Sequence, residues 1–131
     1  MKRKTATTIY WIGTILTCMW FGASGVGELT NNEFVWGITR LLGYPPHFIY
    51  ILGVAKLAGI ITLLIPGKLL RLKEWVFAGM FFDILFAFFS KIAVLGFPAT
   101  IDAIVAFVMV GVTYAMFRKL YPGLQAQTAI A

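Results

Sequence analysis

Lys56 and Asp83 each lie in the middle of a run of about twenty apolar residues. A charge at the centre of a membrane helix costs roughly 2.5 to 3.5 kcal/mol on insertion scales, so each requires a partner, a wet cavity or a task. An ammonium group donates hydrogen bonds to carbonyl oxygens, and a carboxylate can hold or pass a proton. Lys56, Asp83 and Glu28 are therefore the candidate catalytic residues. The competing reading is a structural pin, an opposite-charge pair that fixes helix register and adds little net stability.

At 100° per residue, Thr14, Cys18, Phe21, Gly25 and Glu28 fall within about 40° of one line, a small and polar stripe. Gly79, Asp83, Ala87 and Ser90 repeat the arrangement, while Phe77, Phe81, Phe86, Phe88 and Phe89 mostly occupy the other faces. Gly53, Lys56 and Gly59 lie close together, and Ala55 with Gly59 forms a small-xxx-small pair that allows close helix approach. Depth estimated from the 1.5 Å rise puts Lys56 and Asp83 near the midplane. Glu28 and Asp102 come out near the outer end, with Lys91 slightly deeper and His47 beside them. The expected pairs are Lys56 with Asp83, and Lys91 with Glu28 or Asp102. Lys91, Asp102, Ser90, His47, Thr14 and Gly53 are the expected ligand-binding surroundings, against plainer readings of Lys91 as a snorkelling cation and His47 as an interfacial residue.

The elements that position these groups follow from composition. Of 131 residues, 60% are hydrophobic and only 12% charged, with a mean hydropathy of +0.89. Such a chain has too little polar surface for an ordinary soluble domain. Four stretches reach or nearly reach the length that spans about 30 Å of hydrocarbon, roughly residues 9–27, 47–65, 75–95 and 101–117. Helix is the only suitable spanning structure, because no segment alternates as barrel strands do. Tyr44-Pro45-Pro46, Pro66-Gly67, Gly96-Phe97-Pro98 and Tyr121-Pro122-Gly123 mark boundaries, and connections this short make neighbouring helices antiparallel. The fold expected is an all-α, antiparallel four-helix transmembrane bundle, one domain over 1–122 with a disordered tail at 123–131. In the longest connection Asn31 or Asn32 can cap a short interfacial helix from about Glu33, with Phe34, Ile38, Leu41 and Leu42 on its apolar side.

The net charge of +6 does not indicate a nucleic-acid partner, because the basic residues sit at the ends of apolar runs. Lys2, Arg3 and Lys4 precede the first span, Lys68, Arg71 and Lys73 fill the second connection, and Arg118 and Lys119 follow the fourth span. The other two connections hold only Arg40. This asymmetry predicts that both termini are cytoplasmic. Met1–Thr8 and the apolar run after it read as a retained span rather than a cleaved signal peptide. Cys18 is the single cysteine, which excludes an intrachain disulfide. One histidine rules out a bis-histidine haem, no ligand spacing such as HxxxH or CxxC selects a metal, and no phosphate loop or nucleophile triad is present.

From Ser24 to about Ser90 the sequence resembles the DoxX-like family of small four-helix bacterial membrane proteins. The resemblance is carried by Ser24-Gly25-Val26-Gly27-Glu28-Leu29-Thr30, Leu42-Gly43-Tyr44-Pro45, Leu52-Gly53-Val54-Ala55-Lys56-Leu57-Ala58-Gly59 and Leu63-Leu64-Ile65-Pro66. Arg71-Leu72-Lys73-Glu74-Trp75-Val76-Phe77-Ala78-Gly79 is the most specific segment, followed by Phe82-Asp83. The resemblance implies that Glu28, Lys56 and Asp83 match the family's polar positions and that the chain resides in a bacterial inner membrane. It departs at Ser90-Lys91, where relatives often have Ser-His followed by Gly-Asp, so no role for that histidine carries over.

The family takes its name from a component associated with thiosulfate and quinone oxidoreduction. The resemblance thus implies quinone-linked redox chemistry on a small lipophilic ligand held in the bundle. Lys56 is expected to donate to a quinone or carbonyl oxygen, Asp83 to be its proton partner, and Glu28 to be an outer gate or proton contact. No intrinsic cofactor is expected beyond the quinone. Electrons would come from a redox partner subunit or a bound quinol. A homodimer through glycine faces is a further expectation. Two other functions fit the same charges: a small proton-coupled transporter and a non-catalytic assembly subunit.

Overall fold

A computed structural model describes residues 2–66 and 69–121. The chain runs α1 (Arg3–Leu29), α2 (Glu33–Leu41), α3 (Pro46–Leu64), α4 (Leu70–Val94), a 3-10 turn (Phe97–Thr100) and α5 (Ile101–Leu120). Four of these segments, the last including the 3-10 turn, are long and apolar enough to cross a membrane. Their order and length give the expected antiparallel four-helix transmembrane bundle.

Three boundaries differ from expectation. Helix α1 begins at Arg3 rather than near Ile9, and α5 continues to Leu120, taking Arg118 and Lys119 into its last turn, where cations suit the helix C-terminus. Helix α4 begins at Leu70 rather than Trp75. The charged stretch at its start reads as a polar connection, yet Lys73 is fully buried and donates to the Ile65 carbonyl at the end of α3. That bond satisfies a carbonyl the ending helix leaves free, so the cation belongs to a helix junction. Lys68 and the tail at 123–131 lie outside the described residues.

Close approach sets the packing. Helix α1 lies along both α3 and α5, while α4 packs on α5 and touches α3 more lightly. A Cβ at Gly13 would stand 2.2 Å from Thr113 Oγ1, and one at Gly53 would stand 2.9 Å from Leu29 Cγ. Gly25 faces Lys56 and Gly59 faces Val76. These glycines let helices of one chain meet, and they give no support to a homodimer.

The core is concentrated at one end. Tyr10, Leu63, Lys73, Phe77 and Phe117 are buried where α1 and α4 begin and α3 and α5 end. Phe77 and Phe117 lie 5.4 Å apart between ring centroids, and Tyr10, Tyr114 and Tyr121 extend the cluster. Phe77 is therefore core, whereas Phe89 points outward, as residues on a lipid face do. The opposite half of the bundle is open, and the site lies there.

Candidate functional site

Glu28 ends α1 and Lys56 sits at mid-length on α3. Side chains lean toward the N-terminus of their own helix. On antiparallel helices Glu28 therefore leans toward the start of α1 and Lys56 toward the start of α3, and the two meet between their backbone depths. Lys56 Nζ lies 2.7 Å from Glu28 Oε1 and donates to Ser24 Oγ at 2.8 Å. Ser24 also donates to Glu28 Oε1 at 3.3 Å. Asp83 Oδ2 is farther, at 3.7 Å. The primary partner of Lys56 is thus Glu28, and the expected Lys56–Asp83 pair is the looser of two contacts. Lys56 also stands 5.9 Å above the Phe21 ring centroid, within cation–π range.

Burial ranks the two carboxylates. The Glu28 side chain is 3% exposed and the Asp83 side chain 24%. Glu28 Oε2 is buried with no hydrogen-bond partner among the described residues, so part of its capacity is unfilled there. Two carboxylates face one ammonium, leaving the cluster room for one more proton.

These groups line a cavity of about 510 Å³, within the size range of small-molecule sites. Its polar floor is Ser24, Glu28, Lys56 and Asp83, and its far rim is Lys91 and Asp102. Trp20, Phe48, Leu52 and Phe82 supply apolar wall, and α2 covers it with Val35 and Ile38, followed by Leu42 just past its end. The cover is anchored in three ways: Asn32 Oδ1 caps α2 by accepting from the Phe34 and Val35 amides, Trp36 Nε1 donates to the Glu28 carbonyl at 2.8 Å, and Tyr50 donates to Asn31 at 2.8 Å.

A model of the DoxX-like family matches residues 12–113. The chain belongs to the DoxX-like family. The match runs from within α1 to within α5 and takes in every polar residue of the cavity. No curated protein and no solved structure matches. Together with four membrane-crossing helices, membership makes this DoxX-like chain a multi-pass membrane protein whose outward apolar faces meet lipid.

The remaining expected residues are dispersed. Lys91 pairs with Asp102, not with Glu28, as its side chain reaches across the turn to the start of α5. Ser90 shares a 2.7 Å hydrogen bond with the Tyr44 hydroxyl at the cavity margin. His47 is exposed at the start of α3 and is not part of the lining. Thr14 is fully buried and also outside the lining. Gly53 makes room for Glu28 and Leu29 on α1, so it positions a site residue and lies outside the lining. Among the described residues no three of His, Cys, Asp and Glu gather as metal ligands would.

Sequence reasoning overlooked Ser24, Tyr44 and Trp36 as site residues. Ser24 carried a usable signal, because it precedes Glu28 by four residues and must share its helix face. The bonds of Tyr44 and Trp36 depend on where the loop folds back, which no helical period encodes.

Proposed function

We propose that this DoxX-like membrane protein binds a quinone in the cavity and takes part in quinone-linked redox chemistry. The observation that carries the reading is a lysine held by two unequal carboxylates on the floor of a largely apolar chamber. Glu28, close and buried, holds the ammonium in place. Lys56 keeps donor capacity for a quinone oxygen, and such charge-assisted bonds are about twice as strong as neutral ones. Asp83, looser and partly exposed, is the group that hands over or receives the proton. Reduction of a quinone to a quinol takes up two electrons and two protons. The electrons come from a redox partner subunit and the two protons pass in turn through Asp83, which is reprotonated between them; in the reverse direction a bound quinol gives its two protons to Asp83 in turn and its two electrons to the partner. The inner-membrane location and cytoplasmic termini belong to the same reading and rest on the family resemblance and the distribution of Lys and Arg.

The test is extraction and ultraviolet spectroscopy of gently purified protein, followed by quinone titration of the wild type and two variants. Wild type should carry or bind quinone. Lys56→Met combined with Glu28→Gln, which removes the donor without stranding a buried charge, should weaken binding by about tenfold or more. Asp83→Asn should retain binding and lose quinol-dependent activity in membranes. Absence of quinone, of quinone binding and of quinol-dependent activity in the wild type would sink the reading.

A further inference from the structure

A second cavity, of about 450 Å³, lies between α3 and α4, where those helices pack lightly. Ala55, Ala58 and Gly59 line it on α3, and Trp75, Val76 and Gly79 on α4. It runs from the ion cluster toward the end of the bundle where α3 ends and α4 begins. Ala55 and Ala58 are exposed, as is Trp75 at 75%, so in a membrane this cleft opens sideways to hydrocarbon rather than to water. Its inner end is shared, because Phe21, Leu52, Lys56, Gly79 and Asp83 line both cavities.

Gly79 is the second observation. A glycine inside a helix is unfavourable relative to alanine and is usually retained for a turn or a close approach. Neither applies here, since Gly79 has helical neighbours on both sides and a Cβ built on it meets nothing within 4 Å. It stands where the two cavities adjoin, so the absent side chain leaves a gap between them.

Resting on the quinone-binding reading above, we infer that the α3–α4 cleft is the seat of the ligand's apolar chain and its lateral way in from the bilayer. The ligand class is a bipartite amphiphile. Its oxygen-bearing head occupies the chamber over Lys56, and its isoprenoid-like chain passes Gly79 and lies along Ala55 and Ala58. The cleft contributes little affinity, because a chain leaving lipid for an apolar cleft exchanges one apolar surroundings for another. Its contribution is steric: a head that carries a chain can reach Lys56 only if the chain has somewhere to lie.

Two probes separate the outcomes: a methylated naphthoquinone without side chain, and the same ring bearing a long isoprenoid chain. Both are titrated into protein in lipid nanodiscs. Wild type should bind both. Ala58→Phe, which narrows the cleft from the α3 side at a residue outside the chamber lining, should keep the chainless ring and weaken the chain-bearing one by about tenfold or more. Ala55→Leu lies in the same cleft and outside the chamber lining, should give the same pattern, and serves if the first variant fails to fold. Undiminished binding of the chain-bearing ring by these variants, or wild-type binding of the chainless ring alone, would overturn the chain seat and leave the head site standing. Binding of neither probe by the wild type would overturn both.

Discussion

Lys56 holds its two acidic neighbours unequally, and the inequality has consequences for stability. The contact with Glu28 is short and buried, and breaking such a pair from one side leaves an uncompensated charge at a cost of about 3–5 kcal/mol. Asp83 is 3.7 Å away and partly exposed, so losing it should cost about 1 kcal/mol or less. Unfolding in detergent micelles should therefore show Glu28→Leu well below Asp83→Leu in stability, and the reverse order would contradict the assignment. Lys91→Met should be nearly silent in the same measurement, within about 1 kcal/mol, since Asp102 is half exposed at the rim. The charged members of the candidate site were legible in the sequence because charges inside apolar runs stand out. Their pairing was not. Backbone depth put Lys56 level with Asp83, but a lysine reaches several ångströms along its helix, and opposite lean on antiparallel helices brings it to Glu28.

At the scale of elements, α2 decides whether the chamber is covered. It buries none of its own residues fully, so its position rests on the Asn32 cap, the Trp36 bond to Glu28 and the Tyr50 bond to Asn31. Asn32→Ala removes a cap valued at about 1 kcal/mol. Hydrogen exchange should quicken across Glu33–Leu41 in that variant while the membrane helices keep their protection, and unchanged protection of α2 would show that the cap is not its anchor. Gly53→Val acts on the other side of the site. A Cβ there already meets Leu29 and Glu28, so the bulkier residue should part α1 from α3, lower stability by about 1–3 kcal/mol and weaken quinone binding with it. Helix α2 was legible because asparagine followed by an amphipathic run is a local signal. The start of α4 was not, because charges at 71–74 look like a connection until Lys73 is seen to serve the end of α3.

For the whole molecule, the two ends of the bundle differ in packing and in charge. Arg3 Nη1 donates to the Leu120 carbonyl at 3.4 Å, which brings the start of α1 to the end of α5, so both described ends of the chain lie on one side. That side carries Lys2, Arg3, Lys4, Arg71, Arg118 and Lys119 around the aromatic core. The other side carries the chamber, its acidic residues and the α2 cover, with Arg40 as its loop cation. Cytoplasmic loops retain Lys and Arg, so the packed end should face the cytoplasm and the covered chamber the outer leaflet. A reporter that folds only in the cytoplasm should be active when fused after Ala131 and inactive when inserted at Gly43, and the opposite pattern would invert the molecule. The orientation expected from Lys and Arg would also constrain a bound amphiphile. With the head chamber in the outer half and the α3–α4 cleft descending from Lys56 toward the packed end, the chain of such a ligand would lie in the inner leaflet, and inversion would place it in the outer one.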